Sequence, residues 1–84
     1  MDKNELKLKS RNLEPVMRIG KNGITESVYS EVDKLLKKRK LIKIKILNNS
    51  PIEDKKEAIA DIVSKSNSTL VSIMGNTFTL YRKS

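Results

Sequence analysis

The chain has no cysteine, histidine or tryptophan, and its 84 residues include only three glycines, two prolines and three aromatic side chains. Without thiols or imidazoles there is no disulfide framework, no usual zinc set and no side chain that ordinarily titrates near neutral pH. Redox chemistry and neutral-pH acid–base catalysis lose their usual carriers. Tyr29, Phe78 and Tyr81 are the whole supply of stacking platforms. No stretch approaches the roughly 20 apolar residues that span a bilayer. The start, MDKNELKLKS, is charged from its second residue and lacks the apolar core of a leader peptide. A soluble, cytoplasmic protein without cofactor or metal is expected.

What the chain does have is positive charge. Eighteen Lys and Arg against ten Asp and Glu give a formal charge of +8, which points to a polyanionic partner. The excess lies in the first half: residues 1–45 carry 13 bases and 6 acids, the remainder 5 and 4. The length suits one domain over residues 1–84, because two half-length cores would each bury too little surface. A monomer is expected.

Hydrophobic residues make up only 37% of the chain, but their spacing is regular, which separates it from a disordered basic tail. Residues 3–13, with Leu6, Leu8 and Leu13 among bases, predict a short helix that Pro15 ends. Val16 to Ile19 is long enough for a brief strand. Val28, Val32, Leu35 and Leu36 recur at helical spacing, so Thr25 to Lys40 reads as an amphipathic helix capped by Thr25. In Leu41 to Leu47, Ile42, Ile44 and Ile46 alternate with Lys43 and Lys45, the pattern of a strand with one core face and one basic face. Ser50, Pro51 and Glu53 predict a helix starting at Pro51, with Ser50 as cap, and ending around Ser66 and Asn67. Thr69 to Met74 and Thr77 to Arg82 flank Gly75 and Asn76 as a tight hairpin, with Ile73 opposite Phe78 and Val71 opposite Leu80. The order is helix, strand, helix, strand, helix, strand, strand: an α/β two-layer sandwich.

Gly20, Lys21, Asn22 and Gly23 form a Gly-x-x-Gly between a strand and a helix N-terminus. Such a loop can turn its N–H groups toward a phosphate, the helix end adds partial positive charge and Lys21 a formal one. A plain tight turn explains Asn22 and Gly23 equally well from local sequence. The longer pattern of a nucleotide-binding P-loop and the third glycine of a dinucleotide fingerprint are both absent. Glu26, in the first helical turn, opposes an anion docked there. Seven bases lie between Lys34 and Lys45; on the helix they suit either the dipole or a partner, whereas Lys43 and Lys45 line one side of a strand. With Phe78 assigned to the core, base stacking is disfavoured, and backbone and shape recognition of folded RNA is the reading that remains.

Leu13, Pro15, Val16, the run Ile19-Gly20-Lys21-Asn22-Gly23-Ile24-Thr25-Glu26, then Leu41-Ile42-Lys43-Ile44-Lys45, Gly75 and Leu80-Tyr81-Arg82 resemble the YhbY-like family, or CRM domain, over about residues 3–82. The resemblance implies a fold like the C-terminal domain of translation initiation factor three, a four-stranded mixed sheet in strand order 1-2-4-3. It also implies RNA binding, with stand-alone members associated with precursors of the large ribosomal subunit and tandem plant members with intron splicing. The family's loop maps onto Gly20 to Gly23 and its basic strand onto Lys43 and Lys45. Where members often carry Lys after the hairpin glycine, this chain has Asn76.

The expected function is that of an RNA-binding module, not an enzyme, acting in large-subunit assembly. Its candidate contacts are Lys7, Arg11, Arg18, Gly20, Lys21, Asn22, Gly23, Thr25, Lys43, Lys45 and Arg82. The alternatives are a splicing or RNA-chaperone module, or a basic domain for membranes or acidic proteins.

Overall fold

The computed structural model describes residues 2–83. The strand β2 (Leu41–Ile46) is the centre of the sheet, paired in parallel with β1 (Met17–Ile19) and antiparallel with β4 (Thr77–Tyr81), while β3 (Thr69–Met74) pairs antiparallel with β4. The resulting order, β1-β2-β4-β3, is the mixed sheet that the resemblance implies. Alternation along β2 turns Ile42, Ile44 and Ile46 to one side, where they join Ile19, Phe78 and Leu80 in the core. Two helices cover that face. Val32 and Leu36 come from α2 (Glu26–Arg39), and Ile59 and Ile62 from α3 (Lys55–Ser66). Burying each such side chain contributes roughly 1.5–3 kcal/mol relative to leaving it exposed.

Thr25 caps α2 as expected, its hydroxyl accepting from the Val28 N–H at 3.4 Å. The start of α3 differs from expectation. The helix begins at Lys55, and Asp54 caps it by accepting from the Glu57 N–H at 3.1 Å. The chain offers two rival boxes, Ser50 with Glu53 and Asp54 with Glu57, and the second wins. Ser50 instead accepts from the Ile52 N–H in a local turn, and Pro51 is held against Gly23. The far end is as expected, with Asn67 in the left-handed region that closes the helix.

The hairpin turns at Gly75 (φ 56°), with Ile73 opposite Phe78. Val71 does not face Leu80; Leu70 does, because a bulge between Leu70 and Ser72 places one extra residue in β3. With the bulge, Leu70 is half-buried against the helix-side core and Val71 is buried outside that cluster.

The short helix α1 (Lys3–Asn12), capped by Asp2, crosses the other face of the sheet. Its buried residues are Leu6 and Ser10, and the Ser10 hydroxyl lies 3.2 Å from that of Ser72. Ser72 is paired with Thr79, which alternates with the core residues Phe78 and Leu80, so this contact lies opposite α2 and α3. The sheet and the α2–α3 pair are the two expected layers; α1 adds partial cover behind them.

Arg82 ties the end of β4 to both long helices. Its Nε donates to the Ser66 carbonyl at 3.1 Å, its Nη2 to the same carbonyl and to Asp33 Oδ1 at 2.9 Å, and its N–H to the Lys40 carbonyl at 2.9 Å. The hydrogen bond from Arg82, then that from Lys37, holds the Asp33 carboxyl below the ordinary value of 3.8. A depressed carboxylate contributes stability above its unfolded pKa and loses it as pH falls through the folded value. Thermal melts should therefore show stability falling as pH drops below about 4, and Asp33→Asn should flatten that decline. Arg82→Ala should cost about 2 kcal/mol, because the Ser66 carbonyl loses its donor.

Candidate nucleic-acid interface

β1 and β2 run in parallel, so their C-terminal ends lie together, and the loops leaving them meet. The Leu47 N–H donates to the Ile19 carbonyl at 2.8 Å, which sets the 47–54 segment beside the Gly-x-x-Gly loop. Within that loop the Gly23 N–H donates to the Gly20 carbonyl at 3.0 Å, closing a tight turn. Gly23 is buried with φ 66°, and a Cβ built there would stand 3.0 Å from Pro51 Cγ. Gly20 differs: its φ is unexceptional, and an added Cβ would meet Leu47 Cδ1 at an ordinary 3.6 Å.

The two glycines thus have different duties. Gly23 seats the loop on its neighbour, and its amide is spent inside the turn, so that N–H is not offered to a ligand as the sequence suggested. Lys21 and Asn22, between them, are exposed, and neither amide finds a backbone acceptor among the described residues. Thr25, at the start of α2, is exposed beside them. Glu26 lines a shallow hollow on the outer side of α2 with Ser27, Ser30, Glu31 and Lys34.

Next to this loop the sheet carries an open basic row. Arg18 of β1 is paired with Lys45 of β2, both exposed, and Lys45 is paired in turn with Thr77 of β4. Lys43, two residues earlier, departs from the open basic strand expected. It is only 8% exposed, because α1 covers its row of the sheet. Its ammonium is not sealed in: Thr79 Oγ1 is the one buried side-chain polar atom without a partner among the described residues. Lys7 and Arg11 are exposed on α1, on the same side of the sheet as the Arg18–Lys45 row. Arg82 is the second departure. Its guanidinium is committed to Asp33 and Ser66 at the opposite end of the molecule, so it belongs to the scaffold.

Sequence reasoning passed over the segment that supports the loop. Besides Pro51, Asn48 accepts from Asn76 Nδ2 at 3.1 Å, and Lys55 donates to Asn76 Oδ1. The hairpin tip, the 47–54 segment and the start of α3 are thereby tied together, and the amide that stands after the hairpin glycine meets a lysine from α3. No local signal marks Asn48 or Lys55, because their partner lies more than 20 residues away. Tyr29 is also occupied, with the Lys65 ammonium 4.6 Å from its ring centre.

A hollow at the start of α3, bordered by Ile24, is lined by Glu53, Asp54, Glu57 and Asp61, while Lys7, Arg11, Arg18 and Lys45 lie on the α1 side of the sheet. A model of the CRS1/YhbY (CRM) domain matches residues 1–82. The chain belongs to this family. Over 82 residues it is 35% identical to the Bacillus subtilis protein named Probable RNA-binding protein YqeI, covering 98% of this chain and 84% of the relative. It is 40% identical over 81 residues to Probable RNA-binding protein MJ0652 of Methanocaldococcus jannaschii, covering 95% of this chain and 60% of that longer protein. The solution structure of the hypothetical protein SAV1595 from Staphylococcus aureus superposes with a TM-score of 0.80 at 35% identity, over 98% of this chain and 84% of that one.

The two glycines of this CRM domain should separate cleanly on mutation. Gly23→Ala should destabilise by about 1–3 kcal/mol, from the positive φ and the contact with Pro51. Gly20→Ala should change stability by less than about 1 kcal/mol. Denaturant melts of the two variants decide this, and equal losses would contradict the division of roles.

Proposed function

We propose that this CRM domain binds the sugar–phosphate backbone of folded RNA through the tip of the Gly20–Gly23 turn and the adjoining Arg18–Lys45 row, with Lys7 and Arg11 extending the surface. The carrying observation is the placement of an exposed ammonium, two uncommitted loop amides and a pair of exposed cations on one rigid corner. Backbone amides and cations together suit phosphate oxygens, and the tight turn fixes them before binding, so little ordering entropy is lost. Thr25 and the first turn of α2 add the positive end of a helix. The relatives' names support RNA as the partner.

Phe78 is in the core, Tyr29 meets Lys65 and Tyr81 stands at the far end of β4, so no aromatic side chain among the described residues flanks the loop, and the domain reads shape and backbone more than base identity. Its role is to bind rather than to catalyse. As a monomer in the cytoplasm it holds precursor RNA of the large ribosomal subunit in an immature conformation and then leaves. Sedimentation with precursor particles supports that role, and association with mature ribosomes alone contradicts it.

Counterion release makes log affinity for a stem–loop RNA fall linearly with log salt, at roughly 0.7–0.9 units per neutralised phosphate. In the absence of histidine, affinity should change little between about pH 6 and 8. Lys21→Glu should weaken binding about tenfold at an unchanged Tm, as expected when a phosphate contact is replaced by repulsion. Fluorescence anisotropy titrations measure all three. A salt-insensitive complex, or full affinity in Lys21→Glu, would contradict the proposal.

A further inference from the structure

A second group of cations lies at the other end of the molecule. There β2 begins, β4 ends and both long helices finish, and the Arg82 N–H bond to the Lys40 carbonyl holds the chain end against the α2 cap. Lys37, Lys38, Arg39, Lys40 and Lys83 are all exposed. The carboxylate among them, Asp33, is already met by Lys37 at 3.3 Å and Arg82 at 2.9 Å. Lys34 is set apart, beside Glu31 on the outer side of α2. Lys38, Arg39, Lys40 and Lys83 form no salt bridge among the described residues.

Compensation of the helix dipole accounts for cations in the last turn. At Lys40 that compensation comes with a strained backbone. This residue follows the helix with φ 66° and ψ −36°, a conformation for which glycine is the default and a side chain is strained. Its backbone duties, donating to the Leu36 carbonyl and accepting from the Arg82 N–H, are ones glycine would perform equally well. What lysine adds there is an exposed charge.

We propose that Lys38, Arg39 and Lys40, with Lys83 beside them, form a second phosphate-contact surface that grips a stretch of RNA backbone separate from the one at the Gly20–Gly23 turn. This rests on the RNA-binding reading above and extends it. The 14 residues of α2 separate the two contacts by about 21 Å, at about 1.5 Å per residue. A rigid helix thus joins two modest patches into one bidentate site, so engagement of one raises the effective concentration of backbone at the other.

The test measures affinity for a stem–loop RNA longer than one helical turn, across a salt series, for wild type, Lys40→Gly, the triple variant Lys38→Gln/Arg39→Gln/Lys40→Gly, and Lys21→Glu. Lys40→Gly should raise Tm by about 4 °C while weakening RNA binding about threefold, so stability and affinity move in opposite directions. The triple variant should lose about 30-fold in affinity and about two units of salt slope, as two or three phosphate contacts disappear. Wild-type affinity and slope in the triple variant, with Lys21→Glu still weakened, would overturn the second surface and leave the first intact. A Lys40→Gly protein less stable than wild type would also overturn it. If wild type fails to bind the RNA, or is retained only on anionic lipid vesicles, both readings fall.

Discussion

Pro51 stands where a side chain at position 23 would have to go, and the candidate site depends on that contact. The contact, with the turn bond between Gly23 and Gly20, fixes which way the loop faces. Lys21 and Asn22 are left outside, and the start of α2 is set beside them. A looser loop would lose ordering entropy at the moment of binding. The same seat explains why the 47–54 segment is not helical at its start: Pro51 is held by the loop across from it, and the helix begins only when Asp54 supplies a cap.

The central strand connects this corner to the rest of the molecule. Its isoleucines fill the core against α2 and α3, and the alternation that turns them inward turns Lys43 and Lys45 the other way. Pairing with β1 then sets Arg18 beside Lys45 at the end where the loop emerges. Because α1 covers the Lys43 row and leaves the Lys45 row open, fold and charge pattern together define an interface edge near the loop. Four of the acids, Glu53, Asp54, Glu57 and Asp61, line the hollow at the start of α3, on the helix side of the sheet and not on the face that carries the Arg18–Lys45 row.

Much of this was legible in the sequence, wherever a short-range period or a cap decided the outcome. The alternation in β2, the apolar stripe of α2, the turn at Gly75 and the end of α3 at Asn67 are all of that kind. The departures are all long-range. Two capping boxes four residues apart cannot be ranked locally, and Pro51 ranks them through Gly23. The bulge at Val71 is invisible to a pattern that assumes unbroken alternation. The landing place of α1, which covers Lys43, is not encoded in its own periodicity. Arg82 looked like a free cation until the fold brought Asp33 and Ser66 to it. In the candidate site the loop and the Arg18–Lys45 row were readable, while the supports Asn48, Pro51, Lys55 and Asn76 emerged only with tertiary structure.

The central claim is that RNA docks on the corner made by the turn and the open basic row. The most direct measurement is an amide chemical-shift map of the isotope-labelled protein titrated with a stem–loop RNA. The largest early shifts should fall on Arg18, Lys21, Asn22, Thr25 and Lys45, with little change at Glu53, Glu57 and Asp61. Shifts centred on the acidic hollow, or a turn whose amides stay unmoved at saturation, would contradict the account.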